Sequence, residues 1–275
     1  MKLYLKTKDY SISQEEFHLM YDVDMDMLIT KPQPEGLERY YQSETYISHT
    51  DANNTLIEKL YQAVKKYSLG KKVKLIDRYV KGERTLLDFG SGTGDFLVAA
   101  KNCNWSAIGV EPNSKARKLS KAKGVKVQPE INKLQTDKFN AITLWHVLEH
   151  LPELEEQIAQ LISKMDNNGI LVIAVPNFRS YDAKYYGQFW AAYDVPRHLW
   201  HFSRNAMKKL FSRHKMKIIK IRPMFFDAFY VAMLSEKYKT GKTNFTKAFF
   251  IGLWSNIKAM GSGEYSSLVY ILQKA

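Results

Sequence analysis

The chain has 275 residues, 45% of them hydrophobic, which is enough for one large domain or for one domain with an extension around a sizeable core. No run of 18 apolar residues occurs and Met1-Lys-Leu-Tyr-Leu-Lys6 has no apolar signal stretch, so a cytosolic protein is expected and a transmembrane one is excluded. The lone Cys103 rules out an intrachain disulfide or a multi-cysteine metal cluster, and the net charge of +13 lies almost wholly after residue 196, where 15 Lys and Arg stand against Asp227, Glu236 and Glu264.

Residues 1–52 read as an N-terminal extension. Lys31-Pro-Gln-Pro34 is a turn or an extended stretch, because each proline biases its predecessor away from helix. A tyrosine-dense segment, Tyr40 to His49, follows it. Leu56, Leu60, Val64 and Tyr67 recur at helical spacing, and a second helical piece is predicted to end near Lys81-Gly82. The apolar run Thr85 to Phe89 predicts a short buried strand. Three glycines at alternate positions (Gly90, Gly92, Gly94) then break it, and helical character resumes at Phe96, with Cys103 expected to pack on the back of that helix. The alternation continues as helix 94–103, strand 106–111, helix 113–123, strand 125–128, strand 140–145, helix 152–166 and strand 169–175, with Asp166-Asn-Asn-Gly169 as helix stop and turn. Pro176 to Ser203 is an aromatic loop. Ser203 is placed to cap a helix through Phe211, strands are predicted at 217–221 and 265–272, and residues 224–263 between them form a helical, aromatic, lysine-bearing insertion. Strands alternating with helices imply an α/β, Rossmann-like sheet wound on both faces, with ligands at the carboxyl ends of its strands.

The central stretch is Thr85-Leu-Leu-Asp-Phe-Gly-Ser-Gly-Thr-Gly-Asp-Phe96. A loop that turns sharply and lets a ligand approach its backbone cannot carry Cβ atoms, hence glycine. A dinucleotide fingerprint requires G-x-G-x-x-G with a helix N-terminus facing a pyrophosphate. Here the third glycine comes one residue early and Asp95 would turn a negative charge on the phosphates, which disfavours a phosphate ligand. Asp88 suits an ammonium group, and Glu111, closing the run Ala107-Ile-Gly-Val-Glu111, suits the two hydroxyls of a ribose. A ligand with an amino acid and a nucleoside fits both acids.

Asp88 to Gly94, Glu111 and Trp145-His-Val-Leu-Glu-His-Leu-Pro152 resemble the class I S-adenosylmethionine-dependent methyltransferases, among them the ubiquinone-type O-methyltransferases, over roughly residues 84–222. The resemblance implies a seven-strand sheet, parallel with one antiparallel strand, and S-adenosylmethionine as cofactor, held by Asp88, Gly90, Ser91, Gly92, Gly94, Glu111, Pro112, Trp145 and His146. Asp22 to His49 resembles the N-terminal stretch of a bacterial group that often carries a cysteine knuckle for a metal. Asp22 and Met25 stand at the aligned positions, so no metal is expected there. In some ubiquinone-type enzymes an acid in place of His146, with Glu and His like Glu149 and His150, is linked to a divalent metal. His146 replaces that acid here, and no metal is assigned. His146-Val-Leu-Glu-His150 also spells an inverted zinc-protease motif, rejected because a strand end and Pro152 prevent one continuous helix.

Asp194-Val-Pro-Arg-His-Leu-Trp-His-Phe-Ser203 resembles a D-x-P-x-H-x-x-x-F-S stretch of the same bacterial group. His198 is the first choice for proton acceptor, with Asp194 and Arg197 as its partners; a loop-to-sheet hydrogen bond is the structural alternative. Tyr41, Tyr46, His49, Tyr185, Trp190, Tyr193 and His201 are the candidate acceptor-binding residues. For the aromatic loop the alternative is a small aromatic core, and for the tyrosine-rich stretch it is ordinary packing of an N-terminal helix. Methyl transfer to an oxygen of a small aromatic or lipid-like acceptor is the expected reaction. Its rivals are an RNA or polyanion methyltransferase using the basic third, and a cofactor-binding module without catalysis. The insertion reads as a lid, a dimer contact, a peripheral membrane element or ordinary packing. Oligomeric state is open.

Overall fold

The computed structural model describes residues 1–41, 56–134 and 138–275. Its main sheet holds seven strands: β4 (Thr85–Phe89), β5 (Ser106–Val110), β6 (Lys126–Gln128), β7 (Phe139–Trp145), β8 (Met165–Pro176), β10 (Met216–Pro223) and β11 (Ser267–Lys274), in the order β10-β11-β8-β7-β4-β5-β6. All neighbours are parallel except β11, which runs antiparallel to both β8 and β10. The expected sheet is therefore the observed one.

Successive strand side chains point to opposite faces, and the core divides accordingly. Leu87, Ile142, Leu144 and Ile173 pack against α4 (Leu154–Ser163) and α6 (Arg204–Arg213). Leu86, Ala141, Val172 and Ile271 pack on the other face against α1 (Leu56–Asp77) and α2 (Asp95–Lys101). Near-continuous apolar runs in β7 and β8 follow from burial on both faces. Ser203 caps α6 as expected, its hydroxyl oxygen accepting from the Ala206 N–H at 2.9 Å.

The structure adds a small sheet that the sequence did not announce and corrects three expectations. The described residues of the N-terminal extension form an antiparallel meander of β1 (Lys2–Lys8), β2 (Glu16–Asp22) and β3 (Met27–Lys31), completed by β9 (Trp200–Phe202) from the aromatic loop and followed by a short 3-10 turn (Leu37–Tyr41). Phe17 and Leu19, two apart in β2, are buried while Glu16 before them and His18 between them are exposed, the period of a half-buried strand. α1 is one helix through Asp77 rather than two pieces, and β8 already begins at Met165, so Asp166 to Gly169 belongs to a strand. Cys103 is exposed in the turn after α2 rather than packed.

The aromatic loop and the insertion build a second core. Phe178, Tyr186, Trp190 and Tyr193 pack with Phe17 and Leu28 of the meander and with Val231 and Ala232 of α7 (Asp227–Thr240). The insertion is α7 followed by α8 (Phe245–Ser262), and both lie outside the main sheet's core.

Candidate active site

The carboxyl ends of β4, β5 and β7 lie side by side, so the loops leaving them converge. After β4 the chain turns through Gly90, Gly92 and Gly94, all at positive φ (75°, 53° and 79°). A Cβ on Gly90 would stand 2.4 Å from Val147 Cγ2, and one on Gly94 2.9 Å from Ser120 Oγ and Val125 Cγ2. Among the described residues a Cβ on Gly92 would meet nothing within 4 Å. The first and third glycines thus serve close packing, while the middle one leaves open space. Gly109 on β5 makes room for Ser91 in the same way, with a Cβ 2.4 Å from the Ser91 Oγ; the sequence reading passed it over, since a glycine inside a strand signals close approach only once its neighbour is known.

Glu111, 9% exposed at the end of β5, accepts from the Gly92 N–H through Oε2 (2.9 Å) and from the Asn113 N–H through Oε1 (2.8 Å). Each oxygen keeps a lone pair for a hydroxyl donor. The carbonyl of Pro112 is taken by Arg117 Nη1 at 2.6 Å. Asp88, 3% exposed, accepts from Thr143 Oγ1 at 2.7 Å, and burial pushes its pKa up to about 7 against the opposing pull of that hydrogen bond and of Lys72. Lys72 lies 4.3 Å over the Trp145 ring. Asp95 differs from expectation: its carboxylate is held by Lys65 (2.7 Å) and Lys123 (2.6 Å), so it presents no bare charge to a phosphate. The case against a dinucleotide therefore rests on the glycine spacing alone, since an acid placed like Glu111 serves a dinucleotide's ribose equally well.

His146 follows β7 with φ 57°. Its Nδ1 is 3.3 Å from Glu149 Oε1 and its Nε2 3.1 Å from Asp227 Oδ2 at the start of α7. Burial opposes protonation, but these two carboxylates prevail and raise its pKa to about 10. Asp227 was not singled out from the sequence, because only the tertiary fold brings the insertion to β7. Glu149 is 1% exposed, and among the described residues neither carboxylate oxygen receives an aligned hydrogen bond.

Beside it stand two imidazoles in edge-to-face contact, His150 and His198, with ring centroids 4.4 Å apart. Each gives Nδ1 to a backbone carbonyl: His198 to Ala192 (2.9 Å), and His150 to Arg197 (3.1 Å) with the Tyr41 hydroxyl at 2.9 Å. A carbonyl only accepts, so both protons sit on Nδ1 and both Nε2 atoms keep a lone pair. Burial, followed by the neighbouring His198, lowers His150 to about 4, which keeps it neutral. Glu149, His150 and His198 each bring one ligand atom within 4.8 Å of the others, a spacing that suits a divalent cation.

The other sequence candidates lie elsewhere or are committed. Arg197, 1% exposed, binds Asp194 through Nε (3.0 Å to each oxygen) and Asp9 through Nη2 (2.9 Å). These residues tie the loop to the β1–β2 turn, where the N–H groups of Ser11, Ile12 and Ser13 also bind the Asp9 carboxylate. Trp190 and Tyr193 are buried in the second core, where Trp190 donates to Asp182 Oδ2 at 2.7 Å. Tyr185 packs at the rim of that core beneath Lys239. His201 is buried on β9 and donates through Nε2 to Thr30 Oγ1 (3.0 Å), whose own proton goes to the His198 carbonyl. The alternative of a small aromatic core accounts for these four. Among the described acceptor candidates Tyr41 reaches an imidazole by a hydrogen bond, and the His201 ring lies 6.3 Å from that of His198; Tyr46 and His49 fall outside the described residues.

The protein-family model for a methyltransferase domain matches residues 58–221, more than half of the chain. A search of the curated proteins gives no match. Among solved structures the chain is similar to a SAM-dependent methyltransferase from Archaeoglobus fulgidus, with 19% identity, 76% of this chain and 94% of that one covered, and a TM-score of 0.52. It is similar to the magnesium protoporphyrin IX methyltransferase of Synechocystis PCC 6803 with bound SAH (13%, 88% and 100%, 0.57). It is also similar to the geranyl diphosphate C-methyltransferase of Streptomyces coelicolor A3(2) (12%, 89% and 98%, 0.57). With its family model matched and its seven-strand sheet in place, the chain belongs to the methyltransferase-domain family and has the fold of the class I S-adenosylmethionine-dependent enzymes.

Proposed function

We propose that this protein transfers a methyl group from S-adenosylmethionine to an oxygen of a small aromatic or lipid-like acceptor. The observation that carries the reading is the open space at Gly92, whose backbone N–H binds Glu111 while no other described residue beyond its chain neighbours comes within 4 Å of where its Cβ would be. That gap fits a ligand lying against the loop, with its ribose hydroxyls on the spare lone pairs of Glu111 and its ammonium towards Asp88. Bound there, the cofactor supplies an electrophilic methyl on sulfur. The chain orients the acceptor and removes its proton.

His198 takes the proton through Nε2. Its Nδ1–H is fixed on Ala192 O, which sets the tautomer, and the adjacent neutral His150 adds no competing charge. His146, cationic between Glu149 and Asp227, offsets the buried Glu149 carboxylate beside the imidazoles. Asp194 faces His198 directly, its Oδ2 4.0 Å from Nε2, and Arg197 holds Asp194 in place as a positioning residue. The relatives' acceptors, a porphyrin in one and geranyl diphosphate in another, are unlike each other and agree with an acceptor set by loops outside the shared sheet.

Calorimetric titration of the purified protein with S-adenosylmethionine and S-adenosylhomocysteine tests the cofactor, with NAD as control. Micromolar binding of the first two and none of NAD is expected; absence of both would reduce the glycine loop to a turn.

A further inference from the structure

The helices of the insertion are packed the wrong way round for an ordinary surface element. α8 buries its small residues, Ala248, Gly252, Ser255 and Ala259, against the body of the protein. A Cβ on Gly252 would stand 2.9 Å from the Phe229 ring, so the two helices approach closely there. Its large side chains face outward: Phe245 (64% exposed), Phe249, Phe250 (60%), Trp254 (45%), Ile257 and Met260 (77%). At 100° per residue these six fall within one half of the helix circumference, and neither Asp nor Glu occurs anywhere in α8. Phe225, Phe226 and Tyr230, all about half exposed, extend the face along the start of α7. Single exposed apolar residues are normal; a contiguous aromatic face is an interaction surface.

We propose that this α7–α8 face is a docking surface for an anionic lipid bilayer, entered by the aromatic side chains to the depth of the headgroup and acyl boundary. Charge selects the bilayer over a second copy of the chain. Lys237, Lys239, Lys242, Lys247 and Lys258 belong to the same two helices and their connection. Of the acids there, Glu236 is buried and held by Lys247 (3.0 Å), and Asp227 faces His146. Two copies meeting face to face would oppose these lysines, whereas anionic headgroups attract them. Among the described residues no helix is long and apolar enough to cross a membrane, so the contact is peripheral.

Docking is independent of methyl transfer. Its consequence for the acceptor rests on the proposed function: Phe225 and Phe226 immediately precede Asp227, the partner of His146, so the face adjoins the candidate site and an acceptor carried by the bilayer is presented to it.

The test is cosedimentation of the full chain with vesicles of phosphatidylcholine and phosphatidylglycerol in equal parts, against phosphatidylcholine alone, at low and high salt. Binding to the mixed vesicles that weakens with salt is expected. The triple variant Phe249→Ser, Phe250→Ser, Trp254→Ser should bind more than roughly tenfold more weakly while keeping the wild-type circular dichroism spectrum and cofactor affinity. Brominated acyl chains should quench tryptophan emission in the wild type and much less in Trp254→Phe. Absence of binding to the mixed vesicles, or equal binding by the triple variant, would overturn the proposal. So would a dimer in sedimentation equilibrium that the triple variant converts to a monomer. Calorimetry of S-adenosylmethionine on the same samples separates failure of docking from failure of the cofactor reading.

Discussion

At Gly92 the backbone turns through φ 53° with open space where a Cβ would stand, whereas at Gly90 and Gly94 that space is filled by Val147, Ser120 and Val125. Gly92→Val costs about 1–2 kcal/mol of backbone strain, which leaves the protein folded, but it places a branched side chain in the ligand's space. Calorimetry should show cofactor binding abolished, and wild-type affinity would remove the loop from the site. Asp88 gives a pH dependence. Its folded pKa of about 7 lies above the ordinary aspartate value of 3.8, so the unliganded protein binds an extra proton between those values. The stability this contributes is present below the unfolded pKa and is lost as pH rises through 7. An ammonium group needs the ionised form, so cofactor affinity should fall roughly tenfold for each pH unit below 7, and Asp88→Asn should bind weakly at every pH. His198→Ala should leave cofactor affinity unchanged and lower turnover by about 10² to 10⁴; an unchanged rate would make the residue purely structural.

Elements meet in this fold through buried polar clamps as well as apolar faces. Arg197 joins the aromatic loop to the β1–β2 turn, with the Asp9 pKa driven down by the guanidinium and the Ser13 N–H despite the opposing effect of burial. Arg197→Met strands two carboxylates in a dry setting, and removing one partner of such a pair costs about 3–5 kcal/mol. Urea denaturation should register that loss, and limited proteolysis should find the β1–β2 hairpin newly cleavable. The same clamp fixes the segment carrying His198, so turnover should fall further than cofactor affinity. Because Glu149, His150 and His198 converge closely enough to hold a cation, the imidazole reading carries its own check: turnover should survive a chelator. Loss of activity restored by one divalent ion would turn the cluster into a metal centre.

For the whole molecule, a net charge of +13 invites polyanions. Two of the basic side chains of the C-terminal third, Arg204 and Arg213, are paired with Glu264 and Glu155 across elements, and five of its lysines belong to the insertion beside an aromatic face. An RNA substrate would require a binding constant that falls steeply and linearly with log salt. Filter binding is expected to show only weak, salt-sensitive association without methyl incorporation into RNA; saturable methylation of RNA would reverse the assignment of the acceptor.

The sequence determined the alternation of strands and helices, the glycine loop and the acid at Glu111, because each is written in local pattern: alternating apolar runs, residues that must lack a Cβ, and an acid ending a strand; the seven-strand order came from the family resemblance that these residues carry. It also marked His198 as a candidate, yet it put Trp190, Tyr193 and His201 in the acceptor pocket when they are buried in a second core and a small sheet. Composition records that aromatic residues cluster, not which way they face. Tertiary structure alone decided that Asp227 reaches His146, that Asp9 holds Arg197 across 188 residues, that Lys65 and Lys123 neutralise Asp95, and that α8 turns its large side chains outward. The physical reason is common to all four: charge pairing and burial depend on which segments the fold brings together, and local periodicity, even where it gathers the large side chains of α8 on one face, does not say which face turns outward.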